Sequence, residues 1–345
     1  MKTIYYLIIS LITISICYAT EEIPSSGKAR IKQEKKIDDI IKASMTLLDA
    51  SGATMTISKK GRPIYSKVFG YIDSNKTTLV TSDTTFRIAS NSKPILATLV
   101  LQLVKKRKLK LTDKAIQIVN KNLDKKINFT DNRFKQITIQ DLLDHKGGWD
   151  RDSSYDPVFY LPGNEKELKS MKPIDLVRYM ATQKLDFTPG QKAIYSNFGY
   201  VFLARVVESV TGMPYKEYLE KKFLKSLRIK NIAVGKNIRN TNLNETNYPK
   251  RAYEDNIEVM DGAGGLIANS VDLCKFLDKY WISGKERNRA NYSYIFYGSL
   301  PGVTSITYQK NNLSFAVIFN NRRDSKYKED SNDIKDKIVK KLNGL

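Results

Sequence analysis

Ser90 and Lys93 stand three residues apart in Phe86-Arg87-Ile88-Ala89-Ser90-Asn91-Ser92-Lys93-Pro94-Ile95-Leu96-Ala97, where a small-residue turn runs into an apolar helix. On a helix this spacing puts both side chains on one face, a turn apart. The pairing suits nucleophilic catalysis, because a serine hydroxyl is a weak nucleophile until a nearby base takes its proton. A helix N-terminus at the serine adds backbone N–H donors and the positive end of the dipole, and both favour a developing oxyanion. Pro94 disfavours the α conformation at Lys93, although proline is tolerated that early in a helix. Taken alone, the pattern also reads as an N-cap serine followed by an exposed lysine.

A second group follows the turn Thr188-Pro189-Gly190, in Tyr195-Ser196-Asn197. In an extended segment residues two apart point the same way, so Tyr195 and Asn197 are expected to reach one pocket. A cation beside a phenol favours the phenolate. Tyr195 is therefore expected to serve as general base for Ser90 and later as acid to the leaving group. Asn197 offers a carboxamide to orient Lys93 and a substrate amide. An aromatic core residue beside a turn is the plainer alternative. His145 is the only histidine, which excludes a His-rich metal site, and no zinc spacing occurs. No metal and no organic cofactor is called for.

The elements that position these residues follow from periodicity and turn chemistry. Gly52–Ser58 and Pro63–Tyr71 read as strands joined at Lys60-Gly61, and Val303–Gln309 and Leu313–Phe319 as a second hairpin around Asn311. Between them the chain reads as mostly helical, with helices over 139–145, 173–180, 200–211, 215–223 and 270–281, and a closing helix over 330–342. Strands at both ends around a helical middle predict an α+β fold. Its antiparallel sheet is built from N- and C-terminal segments flanked by helices, with an inserted helical subdomain. Residues 36–89 and 255–345 form the expected α/β part and 90–254 the helical part. Residues 20–35, polar and containing Pro24-Ser25-Ser26-Gly27, read as a flexible lead-in.

The first 19 residues have Lys2, an apolar run from Ile4 and Cys17-Tyr18-Ala19, the pattern of a secretory signal cleaved after Ala19. Secretion or a periplasmic location is the expectation, with membrane contact confined to that segment or to surface charge. Cys17 would leave with the signal, so Cys274 has no partner and reads as a buried small hydrophobe. The net charge is +22. Its lysines are spread along the chain without stacking motifs or a recognition helix, so nucleic acid is not an expected partner.

Taken together, these residues resemble the serine β-lactamase and penicillin-binding-protein superfamily, nearest the class C-like branch with D-aminopeptidases and esterases. Ser-x-x-Lys is that family's nucleophile signature. Tyr195-Ser196-Asn197 is similar to its Tyr-x-Asn element, and Leu142-Leu143-Asp144-His145-Lys146-Gly147-Gly148 to its Leu-Leu-x-His-x-x-Gly turn. Gly262-Ala263-Gly264-Gly265-Leu266 is similar to its Ala-Gly-Gly-Leu segment. The resemblance implies a β-lactamase/transpeptidase-like fold and a structural role for His145. Its third element, Lys or His, then a small residue, then Gly, corresponds here to Phe296-Tyr297-Gly298. Gly298 is kept, and the resemblance implies that the Ser299 backbone N–H joins that of Ser90 as the oxyanion hole. Phe296 replaces the cation that holds a substrate carboxylate, and Tyr297 is expected to narrow the cleft. One lost charge-assisted contact costs on the order of 1.5–3 kcal/mol, roughly ten- to hundredfold.

The expected activity is a secreted or periplasmic serine hydrolase working through an acyl-enzyme on Ser90. Ester or amide substrates without an essential carboxylate are expected, whether small molecules or peptides, peptidoglycan-derived ones included. The alternative is a catalytically impaired relative that acts as a cell-wall-associated binding protein.

Overall fold

Alternating apolar and hydroxyl side chains make β1 (Gly52–Lys59), which pairs antiparallel with β2 (Arg62–Gly70). The turn between them places Lys60 and Gly61 at φ of 54° and 75°, the left-handed pair that a two-residue hairpin demands. The computed structural model describes residues 27–239, 244–288 and 292–342. Residues 1–19, read as a signal, and Cys17 within them lie outside the described residues. No helix among the described residues is long and apolar enough to cross a membrane.

The C-terminal strands β6 (Ser293–Leu300), β7 (Val303–Lys310) and β8 (Leu313–Phe319) complete one sheet in the order β2-β1-β8-β7-β6. All its pairings are antiparallel, and β1 lies directly against β8. Strands from both ends of the chain therefore share one sheet, as the strand pattern predicts. A second sheet, absent from the sequence reading, joins β3 (Phe86–Arg87), β4 (Ile232–Val234) and β5 (Leu266–Ala268) in the order β3-β5-β4. It is short because it ties the segment entering Ser90 to the glycine-rich segment 262–266.

The helices are α1 (Gly27–Leu48), α2 (Ser92–Lys105), α3 (Ala115–Lys121), α4 (Ile139–Leu143), α5 (Glu165–Leu168) and α6 (Pro173–Ala181). They continue as α7 (Asn197–Thr211), α8 (Tyr215–Tyr218), α9 (Ser270–Lys279) and α10 (Tyr327–Leu342). Helix α1 begins inside the stretch read as a lead-in. Arg30 there donates to Ile64 O (2.8 Å) and Gln33 to Lys341 O, so tertiary partners fix a segment whose composition alone looks loose. A capping box at Thr138 and Asp141 starts α4, and Gly212 at φ 67° ends α7.

Two cores flank the large sheet. Ile37 and Ile41 of α1 and Ile334 and Ile338 of α10 pack on Met55, Ile57, Ile306 and Val317. On the other face the second core runs through α2, α7 and α9. Cys274 of α9 is buried there with Sγ 3.3 Å from Thr56 O, and burial pushes its thiol well above the usual range.

Candidate active site

Ser90, the candidate nucleophile, sits ahead of its helix rather than on it. Ala89 adopts a left-handed φ of 47°, and Ala89–Asn91 form a 3₁₀ turn that runs into α2 at Ser92. Such a φ costs a non-glycine residue about 1–2 kcal/mol, so the surroundings must over-determine it. Ser92 Oγ donates to Ala89 O (2.7 Å) and accepts from Leu266 N (3.1 Å), and Ile88 N donates to Leu266 O (2.9 Å). From β7, Ser305 Oγ donates to Ile88 O and Thr307 Oγ1 to Asn91 Oδ1, each at 2.7 Å. Asn91 Nδ2 returns a bond to Ser305 Oγ at 2.7 Å.

Tyr195 Oη lies 2.6 Å from Ser90 Oγ. Lys93 Nζ lies 3.3 Å from the same oxygen, 2.6 Å from Asn197 Oδ1 and 2.6 Å from Ala263 O, and the side chain is fully buried. Asn197 is the first residue of α7, and the Oγ of its N-cap Ser196 accepts from Gly199 N (3.1 Å). Tyr195 and Asn197 thus converge because a helix starts between them, not because a strand alternates. Asn197 Nδ2 donates to Asp156 Oδ2 (2.7 Å), which fixes the carboxamide with its oxygen toward Lys93.

Burial decides the charges. It holds Lys93 well below the usual lysine range; Asp156 opposes this shift and Arg151 reinforces it. Burial also raises Tyr195 above the usual phenol range, while the Ser90 hydrogen bond and Arg151 pull it down and Asp156 and Tyr327 push it up. The expectation that Lys93 frees the Tyr195 proton is therefore corrected: desolvation is the largest cause of the shift at each group, and it favours the neutral form of both. His145 holds a φ of 57°, accepts from Ser196 N at Nδ1 (3.1 Å) and stacks on Tyr195 at 4.7 Å between ring centres. Burial first, then the Lys93 charge, push its pKa down to about 3, so the imidazole is neutral. The Arg151 guanidinium carbon also lies over the Tyr195 ring, 4.7 Å from its centre.

Strand β6 forms the facing wall. A Cβ on Gly298 would collide with Ile88 O and Ser305 Oγ, so only glycine lets the strand approach the nucleophile turn. Phe296, on the same side of the strand, packs against the core of the helical region. Tyr297 points to the opposite face, where its hydroxyl donates to Asn332 Oδ1 of α10 (2.6 Å). This corrects the expectation that Tyr297 narrows the cleft. Ser299 Oγ accepts from Arg322 Nη1 (2.9 Å).

The beta-lactamase family model matches residues 37–304 of the chain. The chain belongs to the beta-lactamase family. Among relatives, Protein flp of Staphylococcus aureus (strain MW2) is 28% identical over 219 residues, covering 63% of this chain and 40% of that protein. The N-acetylmuramyl-L-alanine amidase of Bacillus subtilis (strain 168) is 25% identical over 292 residues, covering 74% of this chain and 65% of the amidase. The chain thus spans less than two thirds of the length of these relatives. In fold it is similar to a class C beta-lactamase (TM-score 0.71, 16% identity, 94% of this chain and 100% of that one). It is likewise similar to the D-amino acid amidase of Ochrobactrum anthropi SV3 (TM-score 0.68, 19% identity, 90% and 98%).

Within this beta-lactamase-family fold, Ser90, Lys93, Tyr195 and Asn197 come together, the last two by a helix start rather than by the expected extended alternation, with Phe296 and Gly298 on the facing strand. Asp156, Arg151 and the Ala263 carbonyl were not foreseen. Asp156 and Arg151 lie in a polar run, Asp150–Asp156, that reads as an ordinary surface loop, and a backbone carbonyl carries no side-chain signal.

Proposed function

We propose that this chain is a serine hydrolase that forms an acyl-enzyme on Ser90 with ester or amide substrates. One observation carries the reading: Ser90 Oγ has Tyr195 Oη at 2.6 Å and a buried Lys93 Nζ at 3.3 Å. A neutral amine has two N–H bonds and one lone pair. Asn197 Oδ1 and Ala263 O, both acceptors, take the two N–H bonds and leave the lone pair for the Ser90 hydroxyl.

Lys93 then accepts the Ser90 proton as Oγ bonds to the substrate carbonyl carbon. Tyr195 gives its proton to the departing alcohol or amine and is reprotonated from the Lys93 ammonium. Water repeats the sequence to release the acid and regenerate Ser90. The backbone N–H groups of Ser90 and Ser299 are the assigned oxyanion donors. Phe296 leaves the β6 side apolar, which suits an uncharged group there. The signal-like residues 1–19 support a secreted or periplasmic protein, and the name of the Bacillus subtilis relative supports peptidoglycan-derived substrates.

The test is intact mass after incubation with a fluorophosphonate and, separately, a penicillin, on the wild type and Ser90→Ala. A Ser90-dependent fluorophosphonate adduct is expected. No adduct on folded protein overturns the reading in favour of a cell-wall-associated binding protein.

A further inference from the structure

Arg151 is a charged group at the cleft whose own partners do not use it up. Its guanidinium lies 4.7 Å from the centre of the Tyr195 ring, and that phenol is 2.6 Å from Ser90 Oγ. Its ion pairs are long, 3.7 Å to Asp156 Oδ2 and 3.6 Å to Asp152 Oδ1, and the Asp152 side chain is 82% exposed. Asp156 already accepts from Asn197. Among the described residues no hydrogen bond joins the guanidinium to an acceptor, and a third of the side chain (33%) faces solvent. The loop beneath it is held: Asp150 accepts from Asp152 N (3.1 Å) and Ser153 N (3.2 Å), and Asp150 N donates to Asp186 Oδ2 (2.7 Å).

The facing wall is the reverse. Phe296 stands on β6 where a cation is expected, and the cation near the end of that strand, Arg322, is committed. Its Nε donates to Asp324 Oδ1 (2.7 Å) and its Nη1 to Ser299 Oγ (2.9 Å). Guanidinium N–H pairs match a carboxylate in a two-bonded fork, and stacking on Tyr195 keeps that fork oriented.

We propose that Arg151 is the anion-binding residue of this cleft: a carboxylate on the substrate pairs with its guanidinium beside Tyr195, while an uncharged group lies along Phe296. This rests on the serine-hydrolase reading and moves the recognised charge from the sheet wall to the loop wall.

The test compares kcat/KM for 4-nitrophenyl acetate and 3-carboxy-4-nitrophenyl acetate on the full chain. The variants are Arg151→Met, Arg151→Lys and Arg322→Met, with Ser90→Ala as control. The readout is the anionic-to-neutral ratio within each variant, which cancels losses of folded protein. A wild-type preference for the anionic ester is expected, with the ratio falling roughly ten- to hundredfold in Arg151→Met. Arg151→Lys should keep part of the preference, and Arg322→Met should stay within about twofold of the wild type. An unmoved ratio in Arg151→Met, a fall in Arg322→Met instead, or loss of both activities in Arg151→Met overturns the proposal alone. No Ser90-dependent hydrolysis of either ester by the wild type overturns the hydrolase reading and this inference with it.

Discussion

Strands β1, β7 and β8 present two faces made by opposite rules. Toward α1 and α10 they show Met55, Ile57, Ile306, Tyr308, Phe315 and Val317, an apolar set closed by Ile334 and Ile338. Toward α9 and the Ser90 turn, β1 and β7 show Thr54, Thr56, Ser58, Ser305, Thr307 and Gln309, all buried, with Ala316 and Ile318 of β8 between them. Thr54 and Thr56 bond Ser270 Oγ at 2.7 and 2.8 Å, Ser58 bonds Asp278 (2.5 Å), and Gln309 Nε2 donates to Leu277 O and Tyr280 O, both 2.6 Å. Apolar burial is strong but non-directional, whereas a hydrogen bond fixes distance and angle. The apolar face supplies adhesion. The polar face supplies the coordinates of Ser90.

The widest separation between the two is expected at the nucleophile. Ser90→Ala or Lys93→Met should lower kcat/KM by about a thousandfold or more, with Ser90→Ala leaving the urea midpoint nearly unchanged. If Lys93 acts unprotonated, as the proposed mechanism requires, kcat/KM of the wild type should rise with pH as Lys93 loses its proton and then level off. A rate that falls across that limb would exclude Lys93 as the base.

On the apolar face the effect should invert. Ile334→Ala removes a fully buried side chain and should cost about 2–4 kcal/mol of stability by urea unfolding. Activity per folded molecule should stay within about twofold, since nothing directional is lost. A larger fall in activity would break the distinction between the faces. Gly298→Ala lies where β6 meets the nucleophile turn and should cost about 1–3 kcal/mol together with about a tenfold fall in kcat/KM. A stability loss with full activity would show that the turn can shift without harm.

How much of this was legible in the sequence follows the same division. The hairpins were announced by Lys60-Gly61 and Asn311, whose left-handed φ values of 54°, 75° and 52° the turn residues predict. The serine, lysine, tyrosine and asparagine were legible because their side-chain chemistry and local spacing are unusual together. The role of Asn91 was not, because it depends on Ser305 and Thr307 more than 200 residues away. The side on which Tyr297 falls was misjudged because it follows from the register of β6 on β7, where Gly298 opposes Ser305. The charge states were misjudged too, since spacing says nothing about burial.

The smallest expected effect tests whether every polar group on the catalytic side is favourable. Asp144, at the end of α4 beside His145, is buried, and Gln140 Nε2 donates to its Oδ1 (2.8 Å). Burial pushes its carboxyl up to about 6, against the pull of the Gln140 hydrogen bond and the Lys146 charge. The folded-state value lies above the ordinary aspartate value of about 3.9, so the folded chain binds the proton more tightly than the unfolded one. Stability from this group is therefore present below about pH 4 and lost as pH rises through about 6. Asp144→Asn keeps an oxygen for Gln140 and removes the ionisation. It should stabilise the protein by about 1–3 kcal/mol at pH 8 and by little at pH 4, measured by urea unfolding at both. Equal gains at the two pH values would mean that the carboxylate is not opposed by its surroundings, and that the catalytic side is as free of electrostatic conflict as the apolar one.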